Sequence, residues 1–167
     1  MREYRVTKYD PKNRNHLGYY ILDEWTSIHD IGRTFDGKVL TEEDYLNVEN
    51  KYIDAVTYFM ECCSVKELTI SWLEQRDADY DRLLTTSMKK MHKNAKNGIV
   101  VDNVGISDII KLNLREDMWC QLVSDKMFVH FGYDYYMYIG ADGDCVGAIK
   151  KIEEAGLFVE EFSSPYH

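Results

Sequence analysis

The stretch that decides the fold is residues 118–162, MWCQLVSDKMFVHFGYDYYMYIGADGDCVGAIKKIEEAGLFVEEF. It opens with three short runs of alternating residues, which the turn sequences Ser124–Lys126 and Gly132–Asp134 separate. A period of two is the pattern of a strand that buries one face. The sequence therefore predicts an antiparallel meander whose buried face carries Met118, Cys120, Leu122, Met127, Val129, Phe131, Tyr135, Met137 and Ile139.

A helix and a last strand follow this meander. Apolar residues recur at helical spacing from Cys145 to Ala155, which predicts a helix with Val146 on its buried face. Gly156 suits the C-terminal cap, because glycine adopts the left-handed conformation without strain. Leu157–Phe162 is then the last strand.

The longest helix is predicted from Thr41 to Cys63. Thr41 is a suitable N-cap, and the three acids after it lie where the helix dipole favours negative charge. Apolar residues then recur every three or four positions and form one stripe, which indicates a core-facing helix. The stripe consists of Tyr45, Val48, Tyr52, Val56, Phe59 and Cys63.

Shorter patterns complete the chain. We expect a strand in Glu67–Leu73 with Leu68, Ile70 and Trp72 on one face, and a short helix capped by Ser107 and Asp108. Helices interspersed with hairpins are typical of an α+β fold with a mostly antiparallel sheet, here one domain over residues 1–167. The other expected elements are a strand at Tyr4–Tyr9, helical turns at Trp25–Gly32, a strand at Lys38–Leu40, a loop at Asp77–Asp81, a helix at Arg82–Ala95 and a turn at Asn97–Gly98 before Ile99–Val101.

Composition narrows the classes of function. The formal net charge is −9, which disfavours nucleic-acid binding, since phosphate contacts need a basic surface. No apolar run approaches the roughly 20 residues of a membrane span, and the N-terminal residues lack the apolar segment of a secretory signal. We therefore expect a soluble cytoplasmic protein that binds neither nucleic acid nor membrane.

The four cysteines are predicted to be buried free thiols of a reducing compartment. Cys62 and Cys63 are adjacent, whereas Cys120 and Cys145 are isolated, and no pair has the spacing of zinc ligands. Asp142-Gly143-Asp144 begins a calcium-loop-like register, but Val146 and Lys150 occupy two of its ligand positions. The sequence thus predicts no metal site and no cofactor.

Catalytic patterns are weak in this chain. Glu24, His29 and Asp30 flank Trp25 and could form an acid–base cluster. They are better explained if Trp25 anchors the short helix to the core while Asp30 interacts with the N-terminus of that helix. His130 alternates with apolar residues in a predicted strand, which is typical of a packed histidine. A small enzyme with a site built from Glu24, His29, Asp30 or His130 remains the alternative hypothesis.

Several blocks resemble small stand-alone bacterial proteins of unassigned function. They are Tyr4–Pro11, Glu24–Gly32, Leu40–Leu46 and Phe131–Tyr138, so the resemblance spans most of the chain. In size, acidity and predicted fold, the chain is also similar to immunity proteins of bacterial toxin systems. This second resemblance implies a protein that neutralises a basic toxin or nuclease.

The densest tyrosine cluster is the predicted binding surface. Four of the 13 tyrosines fall within six residues, and tyrosine combines a rigid apolar ring with a polar tip. Aromatic residues anchor interfaces, while acids at the rim steer a basic partner. We therefore expect a non-catalytic protein that binds a basic protein, in an oligomeric state that the sequence leaves open, through Tyr133, Asp134, Tyr135, Tyr136, Tyr138, Asp142 and Asp144.

Overall fold

The computed structural model describes residues 1–77 and 83–167. Its main element is a seven-stranded sheet in which all neighbouring strands pair antiparallel. A two-stranded hairpin, β2 (Thr34–Phe35) and β3 (Lys38–Val39), stands apart from it. In spatial order the strands of the main sheet are β5 (Val100–Asp102), β4 (Glu67–Gln75), β6 (Met118–Val123), β7 (Met127–Phe131), β8 (Met137–Ala141), β1 (Arg2–Thr7) and β9 (Phe158–Glu161).

Four helices accompany the sheet within the described residues, so the α+β prediction is confirmed. They are α1 (Glu42–Cys63), α2 (Thr86–Asn94), α3 (Asn103–Leu114) and α4 (Val146–Glu154). Helix α1 packs on β7 and β8, α3 packs on β6 and α1, and α4 packs on α1 and β9. None of these helices is both long and apolar enough to span a bilayer.

Helix α1 forms as its sequence predicts. The Thr41 side chain caps it by accepting a hydrogen bond from the Asp44 N–H at 3.1 Å. The stripe faces the core, where Val48 is half-buried and its other members are buried. The predicted inner face of the meander is buried throughout as well.

The opposite face of the sheet, called here the open face, carries the alternate residues of the central strands. Cross-strand pairs place Gln121, His130 and Tyr138 in one row across it. Residues 162–167 cross this face, because Ser164 and Tyr166 hydrogen-bond to side chains of the row. The sheet therefore has one face packed by helices and one face only partly covered by the end of the chain.

Two predicted helix details are wrong. Helix α3 begins at Asn103, not at Ser107, because Asp102 already caps it by accepting hydrogen bonds from the next N–H groups. Val146 is 63% exposed, since the buried side of α4 is set by Ala148 and Ile152, four residues apart. The loop and helix predicted over residues 77–95 fall partly on residues 78–82, outside the described residues.

Free thiols at all four cysteines were expected, and this is wrong for one pair. Cys62 at the end of α1 and Cys145 at the start of α4 form a disulfide across 83 residues of sequence. Cys63 and Cys120 are free and buried. Because disulfides persist mainly in oxidising compartments, the cysteines no longer support the expectation of a reducing one. No local pattern marks this pair, because only tertiary packing brings α4 to α1.

A buried ion pair joins α1 to the end of α3. Glu49 accepts two hydrogen bonds of 2.7 Å from the Arg115 guanidinium, and both side chains are almost fully buried. Burial alone would lower the pKa of Arg115, but the hydrogen bonds and the charge of Glu49 outweigh it and raise that pKa. This two-point contact satisfies both charges and fixes the two elements relative to each other.

Candidate functional site

Strand β4 contains a β-bulge that redirects a tryptophan. Trp72 and Leu73 together lie opposite one residue of β6, Cys120. The extra residue shifts the alternation, so that Leu73 packs against the core and Trp72 lies outside it. The Asn97 side chain accepts a hydrogen bond of 2.9 Å from the Leu73 N–H. The expectation that Trp72 lies on the same face of the strand as Leu68 and Ile70 is therefore wrong.

Trp72 is unfavourable for the stability of the folded chain in two ways. Its side chain is 71% exposed, and its φ of 51° lies in the left-handed region, which residues with a side chain rarely adopt. Such a backbone conformation costs about 1–3 kcal/mol in a folded protein. Conformations of this kind cluster at functional sites.

A second strained segment presents Tyr133. This tyrosine is 70% exposed in the loop between β7 and β8, and the two residues after it, Asp134 and Tyr135, have φ values of 55° and 64°. Two phenols hold the loop from below. Tyr9 donates a hydrogen bond to the Asp134 carbonyl and Tyr52 donates one to the Tyr135 carbonyl, each at 2.7 Å. The exposed ring of Tyr133 therefore stands on a firmly anchored backbone.

The ring of Tyr135 turns inward and belongs to a buried tyrosine cluster, defined as Tyr45, Tyr52 and Tyr135. Tyr135 packs edge-on against Trp25 with ring centroids 5.0 Å apart, and its hydroxyl donates to that of Tyr45. Tyr45 in turn donates to Glu49 at 3.1 Å. Burial, reinforced by neighbouring phenols and by Glu49, raises the pKa of Tyr135 far above its usual range. These hydroxyls therefore stay protonated and are structural.

Trp119 and Tyr166 connect the two exposed aromatic residues. Trp119 packs against Tyr166 with ring centroids 5.9 Å apart, and its indole N–H donates to the Phe131 carbonyl at 2.6 Å. These two side chains line both of two adjoining cavities, of about 270 and 240 Å³. Tyr133 lines the first cavity and Trp72 lines the second. We call the surface formed by Trp72, Trp119, Tyr133 and Tyr166 the aromatic groove.

Polar side chains surround the aromatic groove. Glu74, Arg76 and Glu116 lie in the wall of the larger cavity, and His130 and His167 lie in that of the smaller one. Aromatic centres with a polar rim are typical of protein-binding surfaces. Among the residues that the structure describes, two carboxylates against one guanidinium give the larger cavity an acidic wall.

The end of the chain builds one side of the groove. The Gln121 amide donates to the Tyr166 carbonyl at 2.7 Å, and the Ser164 N–H donates to the Glu3 carboxylate at 2.7 Å. His130 Nδ1 and the Ser164 hydroxyl share a hydrogen bond of 2.7 Å. These contacts hold the Tyr166 ring beside Trp119.

His130 is neutral at physiological pH. Burial, with a smaller contribution from His167, lowers its pKa to about 4. A histidine with so low a pKa is a weak general base near neutrality. Its bond to Ser164 is therefore better understood as an attachment of the chain end than as a nucleophile–base pair.

The predicted surface residues do not form one surface. Tyr135 and Tyr138 are buried, the first in the tyrosine cluster and the second beneath Tyr166. Tyr136 is half-buried and accepts a hydrogen bond of 2.8 Å from Arg14.

The acids of the predicted surface are separated as well. Asp134 is exposed beside Tyr133, at the start of β8. Asp142 and Asp144 are exposed at the opposite end of β8, roughly 20 Å away at the rise of a strand. Only Tyr133 and Asp134 of the predicted set are thus both exposed and close to the aromatic groove.

The residues of the alternative enzyme hypothesis lie in two different places. Asp30 closes a capping box with Ser27 at the turn Ile28–Asp30, which confirms the predicted interaction of Asp30 with the N-terminus of this turn. Glu24 accepts a hydrogen bond of 2.8 Å from Lys8, and His29 is exposed. His130 instead lies on β7 under the end of the chain.

Sequence reasoning missed Trp72, Trp119 and Tyr166 as site residues. Trp119 carried a usable signal, because alternation places it opposite the buried Met118 and Cys120. No local pattern marks Trp72 or Tyr166. The exposure of Trp72 depends on a bulge, and the position of Tyr166 depends on the path of the chain end.

The structure is that of an α+β protein with an exposed aromatic groove on the open face of its sheet. Comparison of the chain with protein-family models, with curated proteins and with solved structures gives no match. The two resemblances stated from the sequence therefore stay predictions. Function has to be argued from the groove itself.

Proposed function

We propose that this protein acts by binding another protein, a basic one, at the aromatic groove, without catalysing a reaction. The observation that carries the proposal is Trp72, a strained and exposed tryptophan. Tryptophan, tyrosine and arginine are the residues that most often dominate binding energy at interfaces. A partner that covers the Trp72 indole would bury apolar surface that is exposed to solvent in the free protein.

The geometry of the groove supports a protein partner. Trp72 and Tyr133 project from anchored backbone segments, so little loop entropy is lost when they are covered. Two adjoining cavities of about 270 and 240 Å³ offer places for side chains of a partner.

Electrostatics supports a basic partner. The chain carries a formal net charge of −9, and Glu74 and Glu116 lie in the wall of the larger cavity. Opposite charges increase the rate of encounter, and salt reduces this effect. We propose that this protein neutralises a basic toxin or nuclease. That is the partner implied by the resemblance to immunity proteins.

The proposal is tested by comparing immobilised variants as bait in a lysate of the producing cells. Trp72→Gly removes the indole and also suits a left-handed backbone, so the fold is retained. Tyr19→Ala is the matched control, because Tyr19 is 67% exposed and lies outside the cavities that form the groove.

We expect one basic protein to be captured by the wild type and by Tyr19→Ala, but not by Trp72→Gly. Its association rate, measured by stopped flow, should fall as salt rises. Equal capture by all three baits would contradict a role for the groove. An acidic partner, or an association rate indifferent to salt, would contradict the electrostatic argument. Turnover of a small molecule, lost on mutation of His130 or Glu24, would favour the enzyme hypothesis.

A further inference from the structure

Three of the four cysteines meet at one point of the fold. Cys62 and Cys63 are the last two residues of α1, and Cys145 is the N-cap residue of α4. Their three sulfur atoms all lie within 4.8 Å of one another. Cys62 and Cys145 form the disulfide, while the Cys63 thiol donates a hydrogen bond of 3.3 Å to the Asp142 carbonyl.

This arrangement is unusual for adjacent helical residues. Side chains of neighbouring positions on a helix project about 100° apart, so two adjacent cysteines rarely approach the same third group. Here the start of α4 lies against the end of α1 and brings the Cys145 sulfur close to both. The grouping is therefore a product of the α1–α4 contact.

The distances fit a metal ion once the disulfide is reduced. Sulfur lies about 2.3 Å from zinc in thiolate sites, which puts three thiolates around one ion roughly 4 Å apart. The sulfur atoms here already lie within 4.8 Å of one another, so small side-chain rotations suffice. Two of the ligands are buried, Cys63 at 5% and Cys145 at 1% exposure, and the half-buried Cys62 offers access from solvent.

We infer that, in the reduced protein, Cys62, Cys63 and Cys145 bind one thiophilic divalent metal ion of the zinc group. The disulfide first accepts two electrons and two protons from a cellular dithiol, which becomes a disulfide in exchange. The three thiols then release their protons to solvent as the ion binds. The metal and the disulfide exclude each other, because both use the sulfur atoms of Cys62 and Cys145.

The immediate surroundings shape the affinity. Burial raises the pKa of the Cys63 thiol, with Asp142 adding to this and the Asp142 backbone hydrogen bond and Lys126 opposing it. Metal binding must displace this proton, so affinity falls as the pH falls.

The test is a titration of the whole protein with Cd²⁺, followed by the ultraviolet charge-transfer absorption of cadmium thiolates. Protein reduced with a phosphine and kept free of oxygen should bind one equivalent, and the oxidised protein should show no band. Cys63→Ser in the reduced state should bind at least about tenfold more weakly, since one of three thiolates is lost. Cys120→Ser is the matched control and should titrate like the wild type, because Cys120 is equally buried but lies on β6.

Two outcomes would overturn the inference. One is a reduced wild-type protein that shows no cadmium–thiolate band. The other is a Cys63→Ser variant that titrates like the wild type. Far-ultraviolet circular dichroism of each reduced variant, recorded before the titration, establishes that a lost band reflects a lost ligand and not an unfolded chain.

Discussion

The two aromatic groups of this molecule, the buried tyrosine cluster and the aromatic groove, use similar side chains in opposite ways. In the cluster each ring is buried and its hydroxyl has a hydrogen-bond partner. In the groove the two outermost rings, Trp72 and Tyr133, are about 70% exposed on or beside left-handed backbone. Tyr133 and Tyr135 lie in the same loop, yet one ring is exposed and the other is buried. The number of aromatic residues in a segment therefore does not show which of their rings reach the surface.

The largest expected effect concerns the Glu49–Arg115 ion pair, which contacts the buried tyrosine cluster through Tyr45. Arg115→Met leaves Glu49 buried without its partner, and breaking a buried ion pair in this way costs about 3–5 kcal/mol. Chemical denaturation of the variant should show this loss. The double variant Glu49→Gln/Arg115→Met, which removes both charges, should recover much of it. A loss below about 1 kcal/mol for Arg115→Met would show that the pair does not support the cluster.

Acidification should destabilise the open face through His130. The pKa of His130 is about 4 in the folded protein, lowered by burial, and near 6.5 in an unfolded chain. Between these pH values the unfolded state binds more protons than the folded state. The contribution of His130 to the free energy of unfolding is therefore complete above pH 6.5 and is lost as the pH falls toward 4. The loss from this residue should approach about 3 kcal/mol.

The check on this prediction is the pH dependence of unfolding for the wild type and for His130→Asn. Asparagine can still bond to Ser164 but does not titrate. Its free energy of unfolding should therefore fall less steeply between pH 6.5 and 4, whereas parallel curves would contradict the assignment.

A matched pair of hydroxyl deletions sharpens the contrast between the two aromatic groups. Tyr52→Phe removes a hydroxyl that accepts from the Lys8 N–H at 2.8 Å and donates to the Tyr135 carbonyl at 2.7 Å. We expect a loss of about 1–3 kcal/mol in the free energy of unfolding. Tyr133→Phe, on the exposed ring, should change it by less than about 0.5 kcal/mol. Similar losses of stability in both variants would contradict the difference between the buried tyrosine cluster and the aromatic groove.

Much of the fold could be predicted because the local periodicity of apolar residues determines it. The stripe of α1 and the inner face of the meander follow from spacings of three or four and of two residues, and both are buried as expected. Alternation assigns Tyr135 to the inner face, whereas the density of tyrosines assigns it to the binding surface. The two assignments conflict, and the burial of its ring decides between them.

The site was harder to predict because its determinants are not local. The bulge at Trp72 and Leu73 depends on β6 and on Asn97, which lies 24 residues after Leu73. Tyr166 reaches the groove only because Gln121 and His130 hold the chain end. The Cys62–Cys145 disulfide joins residues 83 apart. Periodicity carries no information about such contacts.

A small effect on stability, and one of opposite sign, is expected for Trp72→Gly. Glycine adopts a φ of 51° without the steric cost that tryptophan carries, and the indole is mostly exposed. The melting temperature should stay the same or rise by a few degrees, in line with a gain of up to about 1 kcal/mol. A clear fall would mean that the indole supports the fold.

Whether the aromatic groove binds the partner is decided by the affinity of Trp72→Gly for the captured protein, measured by calorimetry together with the melting temperature of the variant. We predict a dissociation constant at least about 30-fold higher than that of the wild type, the effect of an anchor worth about 2 kcal/mol. Tyr19→Ala should bind like the wild type. A Trp72→Gly variant that is folded and binds with wild-type affinity would contradict the claim that Trp72 and the aromatic groove bind the partner.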